Sequence, residues 1–226
     1  SRAGMIIAID GPAGSGKTTI GRMLAARLHY ALVDTGLFYR AVTVEARRRG
    51  IAPDDGSRLV DMVRRLRIDI NTSPESVRGP LVEVDGRDVT GEAFDPLIAK
   101  DLATIARQGP VRELLVEPQR ACAKGDAVVL GRDIGTVIFP GAEHKFFLTA
   151  SAAERSARRR RDLERLSHEA PPDAVLDAEV EGRDRADSER EVAPLRPAPD
   201  AIIISTEGKS VARVLEEVMS RLPTGR

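Results

Sequence analysis

Gly11-Pro12-Ala13-Gly14-Ser15-Gly16-Lys17-Thr18-Thr19 follows the apolar run of residues 5–9 and satisfies the pattern G-x-x-x-x-G-K-[ST] at every position. Glycines at 11, 14 and 16 let backbone N–H groups curl around phosphate oxygens where a Cβ would obstruct the approach. Lys17 brings a point charge toward β- and γ-phosphates, and the hydroxyl of Thr18 is the expected magnesium ligand. Residues 20–28 continue with apolar side chains at helical spacing, so strand, loop and helix succeed one another, and the helix directs the positive end of its dipole at the anion. A chance match in a glycine-rich turn would lack these flanks. Residues 11–19 are therefore expected to hold a nucleoside triphosphate.

The chain has 226 residues, 42% of them hydrophobic, which suffices for one substantial core and a modest insertion. One cysteine excludes an internal disulfide framework and fits a reducing cytoplasm. No apolar stretch has the length of a membrane span, and Ser1-Arg2-Ala3-Gly4 lacks the apolar core of a signal peptide. Thirty-five cations balance thirty-five carboxylates, which disfavours a globally basic nucleic-acid binder. A cytoplasmic monomer without membrane or nucleic-acid partners is expected.

Five short apolar runs, at residues 5–9, 30–33, 127–130, 145–148 and 201–204, read as buried parallel strands. Helical periodicity is clearest over 38–49, 109–124, 151–165 and 210–222, with hydroxyl caps on offer before the third. The alternation predicts a doubly wound α/β sheet flanked by helices. Residues 66–71 and 81–85 instead alternate apolar and polar, with Gly86 and Gly91 as nearby turns, which predicts a small antiparallel subdomain inserted at 66–107. Residues 167–179, containing Pro171-Pro172, read as the tip of a mobile flap.

Chemistry beyond the loop gathers in three places. Asp34, Thr35, Tyr39 and Arg40 follow the second strand and emerge at the carboxyl edge of the sheet, where open α/β proteins bind ligands. Asp34 can hold a magnesium-bound water, Thr35 and Arg40 can donate to a second phosphate, and Tyr39 can pack on a sugar or base. A capped helix after a strand, with Tyr39 in the core, accounts for the same residues equally well. Arg132 and Asp133, after the strand at 127–130, reach the same edge. There a carboxylate can accept from an exocyclic amine and a guanidinium can grip phosphate, or the two can simply pair with each other. The third group, Arg155, Arg158 to Arg161, Arg183, Asp184, Arg185, Asp187 and Arg190, flanks the flap. Positive charge of this density suits phosphoryl transfer, which needs positioning and electrostatic stabilisation and no covalent nucleophile. Many of these arginines will nevertheless be solvated helix face.

GPAGSGKTT, LVDTGLFYR, GRDIGTVIFP and RDRADSEREVAPL, in that order over residues 11–195, resemble the bacterial cytidylate kinases. The resemblance implies a P-loop kinase with a five-stranded parallel sheet, the insert at 66–107 as monophosphate-binding subdomain and a short lid at 155–187. It also implies transfer of the γ-phosphoryl group of ATP, with Mg2+, to CMP or dCMP. Residues 11–19 would then bind ATP. Thr35, Tyr39, Arg40, Arg112, Arg132, Asp133, Arg183, Asp187 and Arg190 would face the monophosphate, with Asp133 on the cytosine amino group. Lys17, Arg132, Arg158, Arg183 and Arg190 would serve the transferring phosphoryl, and Thr18, with Asp34 through water, the metal.

Two positions depart from the pattern. Ala103, beside Thr104, stands where relatives often place a base-contacting serine, and Ala186 stands where some carry an arginine. A kinase for UMP, AMP or shikimate would share the loop and a lid. A nucleotide switch is disfavoured because the one asparagine, Asn71, is followed by Thr72 and not by the Lys of a base-reading motif; a motor ATPase is disfavoured because glycine follows the strand ending at Leu130.

Overall fold

Every residue of β1 (Ile6–Asp10) is buried, as the middle strand of a sheet covered on both faces must be. The computed structural model describes residues 4–73, 80–165 and 171–223. After the phosphate loop come α1 (Lys17–Leu28), β2 (Ala31–Asp34), α2 (Gly36–Arg48) and α3 (Gly56–Val63). The insert contains β3 (Ile68–Ile70), β4 (Val82–Val84), β5 (Arg87–Asp88), α4 (Thr90–Phe94) and α5 (Ala99–Ile105). The core resumes with α6 (Gly109–Cys122), β6 (Ala127–Gly131), β7 (His144–Thr149), α7 (Ala152–Arg165), α8 (Asp173–Ser188), β8 (Ile202–Ser205) and α9 (Val211–Met219).

The main sheet is parallel throughout, in the order β2-β6-β1-β7-β8, built from the five strands the apolar runs predict. The chain leaves β1 for β2 on one side and leaves β6 for β7 on the other, so the order reverses around β1 and β6. Open sheets bind ligands at such a reversal. Register levels the chemistry: Asp10 pairs with Gly131, and Asp34 with Leu130, so the residues after each strand leave from one edge.

Alternation along β1 splits the core. Ile7 and Ile9 join Leu130, Phe146 and Leu148 beneath Ile20 and Leu24 of α1 and Val214 of α9; Ile6 and Ala8 face the other way, with Val33 and Ile134. Gly21 lets α1 settle on the sheet, since a Cβ there would lie 2.4 Å from Leu130 Cδ2. Helix α2, buried almost all round, packs under α3 and α6 on one side and against Val82, Val84 and Val89 of the insert on the other.

In the insert, β3, β4 and β5 form an antiparallel sheet. Asp85 (φ 51°) and Gly86 (φ 76°) both take positive φ between β4 and β5, as a two-residue hairpin whose twist matches its strands requires. Gly91, expected in a turn, lies instead in the first turn of α4. Helix α3 was not legible as such; Asp55 starts it by accepting from Arg58 N at 3.1 Å. The larger correction is α8, which occupies residues 173–179 where the flap tip was expected. Pro171-Pro172 sits comfortably at a helix start, and Leu176, 1% exposed, anchors the new helix. The remainder of that tip, residues 167–170, and residues 1–3 of the amino-terminal stretch lie outside the described residues. Among the described residues no helix is long and apolar enough to cross a membrane.

Leu24 is fully buried, whereas Met23 beside it is 39% exposed. Leu24→Ala is expected to lower unfolding free energy by about 2–5 kcal/mol and Met23→Ala by about 0.5 kcal/mol or less, read from urea denaturation midpoints.

Candidate active site

The phosphate loop depends on backbone that only glycine tolerates. Gly11 has φ 147°, and a Cβ there would lie 2.1 Å from the Leu148 carbonyl oxygen. Gly16, at φ 93°, immediately precedes α1. Lys17 Nζ donates to Pro12 O at 2.6 Å and to Ser15 Oγ at 3.4 Å. Burial, and then the charge of Arg132, hold its pKa well below the ordinary lysine value. Pro12 and Ser15 are buried, Ala13 is half-buried, and Gly14, Thr18 and Thr19 are exposed.

Facing this loop is a rim of cations that repel one another. Lys17 feels Arg132 and Arg183; Arg183 in turn feels Arg132, Arg40 and Arg159. Arg183 keeps contact with solvent, yet neighbouring groups desolvate its guanidinium, and this first and Arg132 second lower its pKa to about 10. Arg40 is lowered by burial, with Asp34 opposing and Arg159 reinforcing the shift. Its Nη1 donates to Ala93 O at 2.6 Å and its guanidinium lies 5.2 Å from the Phe94 ring centroid, which ties α2 to α4 of the insert. Asp34 and Asp10 beside Lys17, and Asp187 beside Arg132 and Arg183, offset part of this repulsion, and an anion entering among the cations would relieve more of it.

The far side of the rim is a buried polar network. Arg112 Nη2 donates to Asp133 Oδ2 at 2.6 Å, both side chains less than a tenth exposed, and the Arg112 guanidinium lies 5.1 Å from the Tyr39 ring centroid. Arg132 Nε donates to Asp187 Oδ2 at 3.0 Å, while Arg190 Nη1 stands 3.5 Å from Asp187 Oδ1 and its Nη2 donates to Ala193 O. Arg132 and Asp133 thus point apart, each to its own partner, rather than pairing with each other. Nε of Arg112 and of Arg190 are buried without a hydrogen bond, leaving donors in reserve.

Asp133 begins a π-helical turn, Ile134–Ile138, whose wide hydrogen bonds run from Ile138 N to Asp133 O and from Phe139 N to Ile134 O. Periodicity could not reveal one turn of this kind. Asp10, passed over in the sequence although it is the polar end of an apolar strand, accepts from Ile134 N and Gly135 N, each at 2.8 Å. Burial raises its pKa to about 6 against the opposing pull of those two N–H groups.

Two expected site residues are engaged with the protein itself. Thr35 donates its hydroxyl proton to Leu130 O at 2.8 Å, which joins β2 to β6. Arg158 braces the loop: it donates to Thr206 Oγ1 and Thr206 O, each at 2.9 Å, and to Gly14 O at 3.3 Å. Arg155, to which no separate role was given, donates to Ala13 O at 3.1 Å and to both carboxylate oxygens of Asp184. The root of α7 is thereby fastened to the loop and to α8. Asp34 accepts from Gly36 N through Oδ1 at 3.0 Å, and Thr104 back-bonds to Lys100 O beside the exposed Ala103. Ala186 is half-buried on α8.

The cytidylate kinase family model matches residues 7–224. The chain belongs to this family. A cytidylate kinase of Geobacillus kaustophilus (strain HTA426) is 45% identical over 215 residues, 94% of either chain. One of Pelotomaculum thermopropionicum is 43% identical over 222 residues, covering 97% of this chain and 96% of the other. A bifunctional pantoate ligase/cytidylate kinase of Synechococcus sp. (strain JA-2-3B'a(2-13)) is 41% identical over 215 residues. That match takes in 95% of this chain but 40% of the relative, so this chain spans well under half the length of the bifunctional proteins. In this chain, charged residues from all four motifs, spread over residues 11–195, lie within electrostatic reach of one another: Lys17, Asp34, Arg132 and Arg183.

Two outcomes follow from the buried charges. Arg112→Ala leaves the Asp133 carboxylate buried and unpaired and is expected to destabilise the fold by about 3–5 kcal/mol, whereas exposed Arg159→Ala changes stability by about 0.5 kcal/mol or less, both read by urea denaturation. Asp10 holds its proton more tightly folded than unfolded, so its contribution is greatest below the unfolded value near 4 and is lost as pH rises through about 6. Relative to Asp10→Asn, the wild type should lose about 2 kcal/mol of stability between pH 4 and 7, measured as the difference between the two pH series.

Proposed function

We propose that the chain transfers the γ-phosphoryl group of ATP to CMP or dCMP, yielding ADP and CDP or dCDP. One observation carries this reading: a complete phosphate loop and a buried Arg112–Asp133–Tyr39 network lie on opposite sides of a rim of mutually repelling cations. Two anions meeting across that rim relieve the repulsion. A phosphate oxygen of the monophosphate attacks the γ-phosphorus, the bond to the β,γ-bridging oxygen breaks, and ADP leaves with the electron pair.

In this reading residues 11–19 cradle the ATP phosphates, and Lys17 turns from Pro12 O to the γ-phosphate. Arg132, Arg183 and Arg190 stabilise the charge spread over the transferring oxygens. Arg40, Arg112, Asp187 and Tyr39 seat the monophosphate. Asp133, with one oxygen on Arg112, offers the other to the exocyclic amine of cytosine. The insert at 66–107 closes over CMP and the lid at 155–187, which includes most of α7 and α8, closes over ATP. Water is thereby kept from the phosphoryl group.

The residues fit a magnesium ion of the kind held mostly by phosphate and water. Thr18 presents an exposed hydroxyl, Asp34 keeps one carboxylate oxygen beyond its bond to Gly36, and among the described residues no cluster of three or more His, Cys, Asp or Glu competes for a metal. When bound, the ion supplies charge neutralisation at the β- and γ-oxygens.

Coupled-enzyme turnover with CMP, dCMP, UMP and AMP tests the assignment. Turnover is expected to favour CMP and dCMP; greater activity on UMP or AMP, or ATP consumption independent of any monophosphate, would overturn it. Lys17→Ala should lower kcat by about 10²–10³-fold, and Asp133→Ala should reduce the CMP-to-UMP preference by about tenfold.

A further inference from the structure

Asp10 belongs neither to the phosphate loop nor to the groups assigned to substrate, yet it is a carboxylate only 3% exposed at the end of the central strand. Its two oxygens reach across to the turn after β6 and accept the N–H groups of Ile134 and Gly135, each at 2.8 Å. Those N–H groups open the π-helical turn. At the other end of the turn, Arg120 of α6 donates to Ile138 O at 2.7 Å and to Val137 O at 3.1 Å. A carboxylate at the start and a guanidinium at the finish complement the dipole of the turn and satisfy its end groups. Arg132 and Asp133 stand directly before it.

We infer that Asp10 is a positioning residue for monophosphate recognition: its carboxylate, carried on the strand that leads into the ATP loop, clamps the turn that aims Arg132 and Asp133, and Arg120 holds the far end. This rests on the reading of Arg132 and Asp133 as facing CMP. A stability argument supports it. Asp133 from the turn and Lys17 from α1 are the charged groups facing Asp10, and burial makes an ionised carboxylate there costly at neutral pH. A group serving only to hold the fold would be better replaced by an uncharged one; a charged acceptor suits a turn that must be held firmly at both N–H groups.

The test is calorimetric titration of CMP and, separately, of ATP into wild-type protein, Asp10→Asn and Arg120→Ala. Asparagine keeps the size of the side chain but turns an amide NH2 toward one of the two N–H groups, so one end of the clamp is lost. The expected result is a CMP dissociation constant raised about tenfold in Asp10→Asn, with ATP affinity within about twofold of wild type. Arg120→Ala, on the outer side of the turn, should weaken CMP in the same sense and spare ATP. Equal loss of both nucleotides in Asp10→Asn, or no change in CMP affinity, overturns the inference. If Asp10→Asn does not fold, Arg120→Ala decides alone: selective loss of CMP upholds the clamp and unchanged CMP binding overturns it. A wild-type chain that binds ATP but not CMP overturns both the clamp and the proposed reaction, whereas wild-type CMP binding that survives both substitutions overturns only the clamp.

Discussion

The parallel register at the carboxyl end of the sheet is the constraint from which the rest of the molecule takes its order. Asp10 level with Gly131, and Asp34 level with Leu130, bring the ends of three strands to one edge. A shift of one residue in either pairing would turn every side chain on the shifted strand to the opposite face and move the groups that follow it out of level with the phosphate loop. That outcome is prevented by packing on both faces, since Ile7 and Ile9 fill one core and Ile6 and Ala8 the other. Hydrophobic alternation along a buried strand therefore places the polar chemistry, even though none of the apolar residues touches it.

Charge is handled differently on the two sides of the cleft. On the side away from the loop each cation has an anion: Arg112 has Asp133, and Arg132 and Arg190 share Asp187. Near the loop, Arg183 repels Lys17 and Arg159, and desolvation pulls Lys17 and Arg183 down in pKa. Paired charges keep their geometry before a ligand arrives, and unpaired ones gain most when it does. Under the proposed reaction, the first arrangement would serve recognition of a base and sugar, and the second a polyphosphate whose negative charge shifts during transfer.

Three arginines fasten this cleft to the elements around it. Arg155 joins the loop carbonyl of Ala13 to Asp184 of α8, directly after Arg183, and Arg158 joins Gly14 to Thr206 after β8. Arg40 reaches from α2 to Ala93 and Phe94 in the insert. In each case an arginine spans two elements through several donors in a fixed fork, a task for which a lysine head group is poorly shaped. This gives a structural use for part of an unusually arginine-rich cation set, 30 of the 35 Lys and Arg residues.

Local patterns carried the phosphate loop, the five core strands and the antiparallel alternation of the insert, because each depends on period, glycine spacing or a chain-adjacent motif that a short window contains. The four motifs were also enough to point to the cytidylate kinases. Partnership was not legible. Thr35 faces Leu130, Arg158 faces the loop, Asp133 is given to Arg112, and Asp10 reaches a turn 124 residues away. Only the folded chain chooses among the many arginines and aspartates available, because burial and Coulomb energy depend on which elements pack together and not on which residues are neighbours in sequence.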